Sequence, residues 1–525
     1  MEKLELEEIP KPPLPPEPDE CCGSGCIRCV YDLYEEQMEK YEFLKSQIEM
    51  RNNLKLLKFN EENEFTILDT TESNTIENNN NVSNFQLVII YNEKSDSNNC
   101  NINTLLDNNN MKIGNISSFR VLTSVESPSR AYFLDIKSNS EIQYQPGDYV
   151  SIIVPTDPSD LSKLFQRLSL DSQQEIKVKF ESSDGQGIHI KETLGHLPRD
   201  NFETLYNLFK WTVDCMFIPQ PFILKVMATY CQSPDDKKKL EFLASDGGLS
   251  LYKETIEQHE IPFLKLLMKF KSCQIPLEEI LLYLPPKVPR KYSISSSPLA
   301  SGLYHFHITF TLLKKDNDKY GICTYWMHKQ IEYFEKESHE HLESFRFQIE
   351  QSKGFELPDS LSTPIVLIAT GTGIAPFFSF LLHRKSLIEQ QQKQGTHNPK
   401  SVGECWLFFG CKRKNWDHLY QHELGELQNQ GIISRLIVSY SQSVDSTNRK
   451  YINLHLEDYS ETIYKLITLQ NGVLYICGNS NKIGKSSRES LINIIKKESK
   501  CTEQLAIHQL NNWKLNKQYK CDLWS

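Results

Sequence analysis

Three features of the chain predict a multidomain protein in which an antiparallel β-barrel carries an inserted helical region and is followed by an α/β domain with a parallel sheet. Ile365 to Ala369 is an unbroken apolar run rich in β-branched residues, as in a parallel strand covered on both faces. Short alternating segments between 113 and 155, and again from Arg290, read as antiparallel strands. Between them, roughly 191 to 285, the apolar spacing changes to that of helices. A strand pattern that stops, gives way to helices and resumes marks an insertion within one domain.

Taken in order, residues 10–20 are proline-dense and favour an extended polyproline arm. The arm runs into Cys21, Cys22, Cys26 and Cys29, after which Leu33, Tyr34, Met38 and Tyr41 keep helical spacing. Cys21, Cys26 and Cys29 have the C-x4-C-x2-C spacing also seen in plant-type ferredoxins. That fits a zinc or iron–sulfur site, which would let a segment of this size hold a shape. The same thiols fit a cluster that stays reduced or oxidises transiently, and both readings stand. Residues 1–50 form this module. Residues 51–112 are Asn-rich and polar, too poor in apolar surface to fold alone. They read as a mostly disordered linker in which Phe85 to Tyr91 is the one strand-like run.

The barrel is expected at 113–190 and 286–355. Tyr144-Gln-Pro146-Gly147-Asp148 is a turn between two of its strands. In the helical region, 191–285, Ser233-Pro-Asp-Asp caps one helix start. Past it, Arg290-Lys-Tyr292-Ser293 puts a guanidinium and an aromatic ring on one face of a strand. That pair suits a phosphate joined to a flat ring system. Gly321-Ile322-Cys323-Thr324 opens a helix and offers unpaired backbone N–H groups. The third domain, 356–525, begins with the apolar strand. Thr370-Gly371-Thr372-Gly373 follows as a tight turn, with Phe377, Phe380 and Leu381 at helical spacing behind it. Strand, glycine turn and helix N-terminus together make a second anion cradle.

Composition narrows the field. A formal net charge of −10 gives no cationic footprint for nucleic acid or anionic membrane. No apolar run is long enough to span a bilayer, and the acidic start is unlike a secretory signal or a transit peptide. The cysteines are scattered outside the N-terminal cluster, without a disulfide framework. A cytoplasmic location is expected.

The order of these stretches continues with Phe408-Phe-Gly-Cys-Lys-Arg413, Trp416-Asp-His-Leu-Tyr420, Tyr475-Ile-Cys477-Gly478-Asn479 and Tyr519-Lys-Cys-Asp522-Leu-Trp524. Over about 113 to 525 this series resembles the FAD/NADPH half of the diflavin reductases, within the ferredoxin–NADP reductase superfamily. The N-terminal arm resembles the "oxidoreductase-like" module. The resemblance implies that Arg290, Tyr292 and Ser293 hold FAD and that Gly321 to Thr324 cradle its pyrophosphate. It implies that Thr370 to Gly373 take the pyrophosphate of the nicotinamide dinucleotide, with Arg384 nearby on the helix. Cys477, Asp522 and Ser293 would then surround the reacting carbon and Trp524 would cover the flavin. Where relatives bind the 2′-phosphate with Ser-Arg, this chain has Ser441-Gln442, and Arg449, Lys450 and Tyr451 compensate. NADPH is therefore expected, with NADH possible. Asn479 replaces the family's Asp, and the strand from Phe306 lacks a later aromatic. Residues 1–112 are too few and too polar for an FMN domain. The implied acceptor is a separate one-electron carrier, flavodoxin-like or iron–sulfur. The alternatives are delivery through the N-terminal cysteines and a non-catalytic flavin-fold scaffold.

Overall fold

The computed structural model describes residues 85–92, 111–182, 194–199, 201–315, 319–396, 398–443 and 451–524. The cysteine module and Arg449–Lys450 lie outside the described residues. The chain enters through β1 (Phe85–Tyr91), β2 (Lys112–Val121), β3 (Ala131–Ser138) and β4 (Tyr149–Ile153). It passes into β5 (Glu175–Ser182) and β6 (Glu203–Thr204), then returns as β7 (Arg290–Ser293), β8 (His305–Thr311) and β9 (Phe345–Glu350).

Six strands form an antiparallel sheet in the order β7-β4-β9-β2-β3-β8. A bridge between Ile294 and Ile308 joins its two edges, supported by Ser295 N donating to His307 O (2.8 Å). Closure turns the sheet into the expected barrel and removes its free edges. Alternation fills the interior: Leu134, Ile136, Val150, Ile152, Phe306 and Phe345 share one core with Met327 of the helix Ile322–Glu335.

The insertion is helical, as the spacing predicts, and Ser233 accepts from Asp236 N at the start of helix Pro234–Ala244. It is larger than its helices. β1, β5 and β6 make a separate antiparallel sheet, and the helix Pro158–Leu168 packs with it. Leu87, Leu161, Leu164 and Val178 join Leu224, Phe263 and Leu281 in one core. Residues 158–182, assigned to the barrel on sequence, thus pack with the insertion. The alternation Glu175-Ile-Lys-Val-Lys states only that one face is buried. Its partner, β1, lies in the stretch assigned to the linker.

The last domain contains β10 (Ile365–Thr370), β11 (Cys405–Cys411), β12 (Arg435–Tyr440), β13 (Val473–Asn479) and β14 (Tyr519–Trp524). They form a parallel sheet in the order β12-β11-β10-β13-β14. The continuous apolar run is explained by two covered faces. Ile365, Leu367 and Ala369 pack beneath the helix Ile374–Lys393; Val366 and Ile368 pack against the helices from Ile452, Lys485 and Glu503 on the other side. Strand order reverses at β10, so a crevice opens at the carboxyl ends of β10 and β13. The barrel docks there: Ser379 Oγ donates to Ser296 O, Ser297 and His383 are hydrogen-bonded (3.0 Å), and Thr309 meets Tyr420.

Candidate active site

β7 and β14 bring the predicted residues together from opposite domains. Ser293 Oγ donates to Asp522 Oδ2 at 3.1 Å. Cys477 Sγ donates to the same oxygen at 3.7 Å, because Cys477 and Asp522 are paired in the β13–β14 register. Tyr149, opposite Ser293 in the β4–β7 pair, brings its hydroxyl near enough to Asp522 to interact with its carboxyl. Burial raises the Asp522 carboxyl above its ordinary value, although Ser293, Tyr149 and Cys477 pull it down. Burial and the neighbouring carboxylate push the Cys477 thiol far up, so it remains a protonated donor at neutral pH. Tyr149 was missed on sequence, since its place depends on a strand pairing distant in the chain.

On the barrel side, Arg290 is exposed while Tyr292 is half-buried. The Tyr292 hydroxyl and the Cys323 thiol lie close enough to affect each other's ionisation, and the Arg290 charge favours ionisation of both against a larger burial effect. Cys323 lies in the barrel core at 4% exposure, so its side chain is not a ligand group. Thr324 Oγ1 accepts from Leu313 N and donates to Gly321 O, both at 3.2 Å, which fixes the turn. No side chain caps the helix start at Gly321, and Ile322 is exposed. The first-turn N–H groups therefore face outward beside Arg290 and Tyr292, a set that fits a pyrophosphate attached to a ring.

On the sheet side, Gly371 has φ 53°, and a Cβ there would meet nothing within 4 Å. At Gly373 a Cβ would lie 2.4 Å from Cys477 O. The two glycines thus serve different needs: Gly371 faces open space in a left-handed conformation, and Gly373 lets the turn touch β13. Thr370 ends β10 opposite Gly410, and Thr372 is half-buried in the turn itself. Trp524 is paired with Asn479 and is 40% exposed. The Asn479 Oδ1 is buried without a partner, an acceptor that fits an amide donor such as a nicotinamide carboxamide.

Arg384 is not part of this site. It lies three turns along the helix from Gly373, about 16 Å at 1.5 Å per residue, and donates to Leu361 O and Gly403 O while 4% exposed. It ties loops at the far end of the sheet. A cation not singled out on sequence, Arg413, stands beside Ser441 and Gln442. Its Nε donates to Gln442 O (2.9 Å) and its guanidinium lies 3.8 Å from the centre of the Trp416 ring. Ser441 and Gln442 follow β12, their amides bonded to Cys411 O and Lys412 O, and Tyr451 is exposed nearby in sequence at a helix start. The run Lys412-Arg413-Lys414 at the carboxyl end of β11 carried the signal for Arg413.

A closed barrel and a parallel sheet, each with a helix start left uncapped by side chains, fit an FAD- and NAD(P)-binding oxidoreductase. The family comparisons agree: residues 106–326 match the FAD binding domain, residues 367–487 the oxidoreductase NAD-binding domain, and residues 7–50 the N-terminal oxidoreductase-like protein family. The chain is 30% identical to methionine synthase reductase of Rattus norvegicus over 416 residues and 31% identical to that of Homo sapiens over 419 residues. Each alignment covers 75% of this chain and 57% of the relative. It is 28% identical to NADPH-dependent diflavin oxidoreductase 1 of Dictyostelium discoideum over 380 residues, 71% of this chain and 57% of that one. The chain thus spans a little over half the length of these relatives. Among the described residues no helix is long and apolar enough to cross a membrane.

Proposed function

We propose that the chain accepts reducing equivalents from NADPH on bound FAD and passes electrons singly to a separate carrier protein, flavodoxin-like or iron–sulfur, in the cytoplasm. The observation that carries this reading is the convergence of Ser293, Asp522, Cys477 and Tyr149 across the domain boundary. Bound FAD supplies the redox chemistry, taking two electrons together and releasing them one at a time. The protein's share is positioning and electrostatics. Arg290 and the amides from Gly321 hold one pyrophosphate, and the amides of Thr370 to Gly373 hold the other. Ser293 and Tyr149 fix the carboxylate of Asp522, and the Cys477 thiol closes the pocket wall. Trp524 covers the crevice and must swing aside when the pyridine ring enters. Arg413, with Ser441, Gln442 and Tyr451, favours NADPH over NADH; Arg449 and Lys450 add to it.

Among the described residues we read no FMN site, since the strand Phe85–Tyr91 pairs into the insertion. Mixing purified protein with NADPH should bleach its flavin band within seconds, and Ser293→Ala should slow this roughly 10–100-fold. A protein that takes up no FAD, or a flavin band unchanged by NADPH, would overturn the reading. The match at residues 7–50 favours a second route, in which electrons pass through Cys21, Cys22, Cys26 and Cys29. If Cys26→Ser and Cys29→Ser leave acceptor reduction unchanged, that route is wrong.

A further inference from the structure

Cys231 and Cys273 face each other across an isolated antiparallel bridge in the helical insertion. Gln232 N donates to Ser272 O (3.1 Å) and Gln274 N to Tyr230 O (2.8 Å). The cysteines therefore occupy the non-hydrogen-bonded position between two backbone bonds. Cα atoms at such positions lie about 4.5 Å apart, inside the range of roughly 4.4–6.8 Å that a disulfide accepts. Their sulfurs are on one side: Cys231 Sγ donates to Met227 O at 3.4 Å and Cys273 Sγ to the same oxygen at 3.3 Å. The two thiols are near enough for each to perturb the other's ionisation.

The surrounding backbone is already fixed. Arg167 donates to Leu267 O (3.1 Å), Lys271 O (3.0 Å) and Cys273 O (2.6 Å), and Ser272 Oγ donates to Asp236 Oδ2 (2.7 Å). Linking the sulfurs would need rotation about side-chain bonds and little else. Access is unequal, since Cys231 is partly exposed and Cys273 fully buried. No other two cysteines among the described residues stand opposite each other in a strand register or bridge.

We propose that Cys231 and Cys273 form a reversible dithiol–disulfide site that reacts with low-molecular-weight disulfides, Cys231 entering and Cys273 resolving. With oxidised glutathione, Cys231 gives up its proton and its thiolate attacks one glutathione sulfur. The glutathione S–S bond breaks, a mixed disulfide forms on Cys231, and the departing thiolate takes up a proton. Cys273 then loses its proton and attacks Cys231 Sγ, forming the protein disulfide and releasing the second glutathione, which is protonated in turn. Two protein thiols are oxidised and one glutathione disulfide is reduced to two thiols. Burial raises both protein thiols, Cys273 to about 12, so exchange is slow at neutral pH and quickens as pH rises.

The full chain is incubated with oxidised glutathione at about pH 7 and about pH 8.5, either side of the common thiol range, then alkylated and digested without reductant. The expected product is a Cys231 peptide linked to a Cys273 peptide, formed faster at the higher pH and reversed by reductant. The linked protein should melt on the order of 5–10 °C higher. Cys273→Ser should trap glutathione on Cys231, and Cys231→Ser should leave Cys273 unmodified. Wild-type protein that holds glutathione on Cys231 without the linkage overturns the proposal. So does oxidation of other cysteines while this pair alkylates freely, a result that needs no variant to fold.

Discussion

Replacing Gly373 by alanine tests how the glycine turn and β13 fit together. The added Cβ would sit 2.4 Å from Cys477 O, 2.9 Å from Cys477 C and 3.2 Å from Gly478 Cα. All three neighbours are backbone, so no side chain can rotate out of the way. Reaching even 3.0 Å from the carbonyl oxygen requires the two segments to part by at least 0.6 Å. Overpacking of this kind costs about 1–3 kcal/mol, with about 2–4 °C of melting temperature for each kcal/mol in a domain this size. The displaced segment carries Cys477, whose contact with Asp522 is already 3.7 Å. Misplacement approaching 1 Å can cost about 100-fold in rate, so NADPH-driven flavin reduction should slow by about 10–100-fold. Gly371→Ala is the control: it meets strain at φ 53° but no clash, worth roughly 1–2 kcal/mol, and should act chiefly on the KM for NADPH. Differential scanning calorimetry and stopped-flow absorbance read the two effects separately. A Gly373→Ala protein with wild-type melting and wild-type flavin reduction would refute the reasoning.

Three other outcomes follow from the same geometry. Burial holds the Asp522 carboxyl above its ordinary value of 3.8, so the folded state binds this proton more tightly than the unfolded chain. Its contribution to stability therefore declines as pH rises from 3.8 through the raised value, and Asp522→Asn should flatten that part of the melting-temperature profile. Burial lowers His418 from 6.5 to about 4, so its share of stability is lost as pH falls from 6.5 toward 4; His418→Phe should shallow the slope there, leaving the parts owed to His307, His328 and His383. Arg413→Ala should raise the KM for NADPH several-fold while leaving that for NADH nearly unchanged; equal effects on both nucleotides would remove Arg413 from the 2′-phosphate site.

Local pattern was enough wherever a function depends on contiguous residues. The strand Ile365–Thr370 and its turn, the Arg290-Lys-Tyr292-Ser293 strand and the helix from Ile322 all stand where periodicity put them. What failed was pairing at a distance. Nothing in Glu175–Ser182 states that its neighbour is β1 rather than a barrel strand, and nothing near Tyr149 announces Asp522. Arg384 failed for another reason. A helix that starts at a site carries its later residues 1.5 Å further off with each step, so proximity in sequence misled. Cys323 shows the converse: a motif residue whose side chain serves the barrel core.

The helical insertion leaves the barrel after β4 and re-enters at β7, and these two strands are hydrogen-bonded neighbours, Ile152 opposite Arg290. Its entry and exit are therefore about 5 Å apart, the spacing of a plug in a socket. Such a module can be lengthened, shortened or exchanged without bending the strand that grips the flavin. The exchange has one condition: β1, which arrives from upstream to pair with β5, has to travel with the module, or its backbone is left as an unpaired edge.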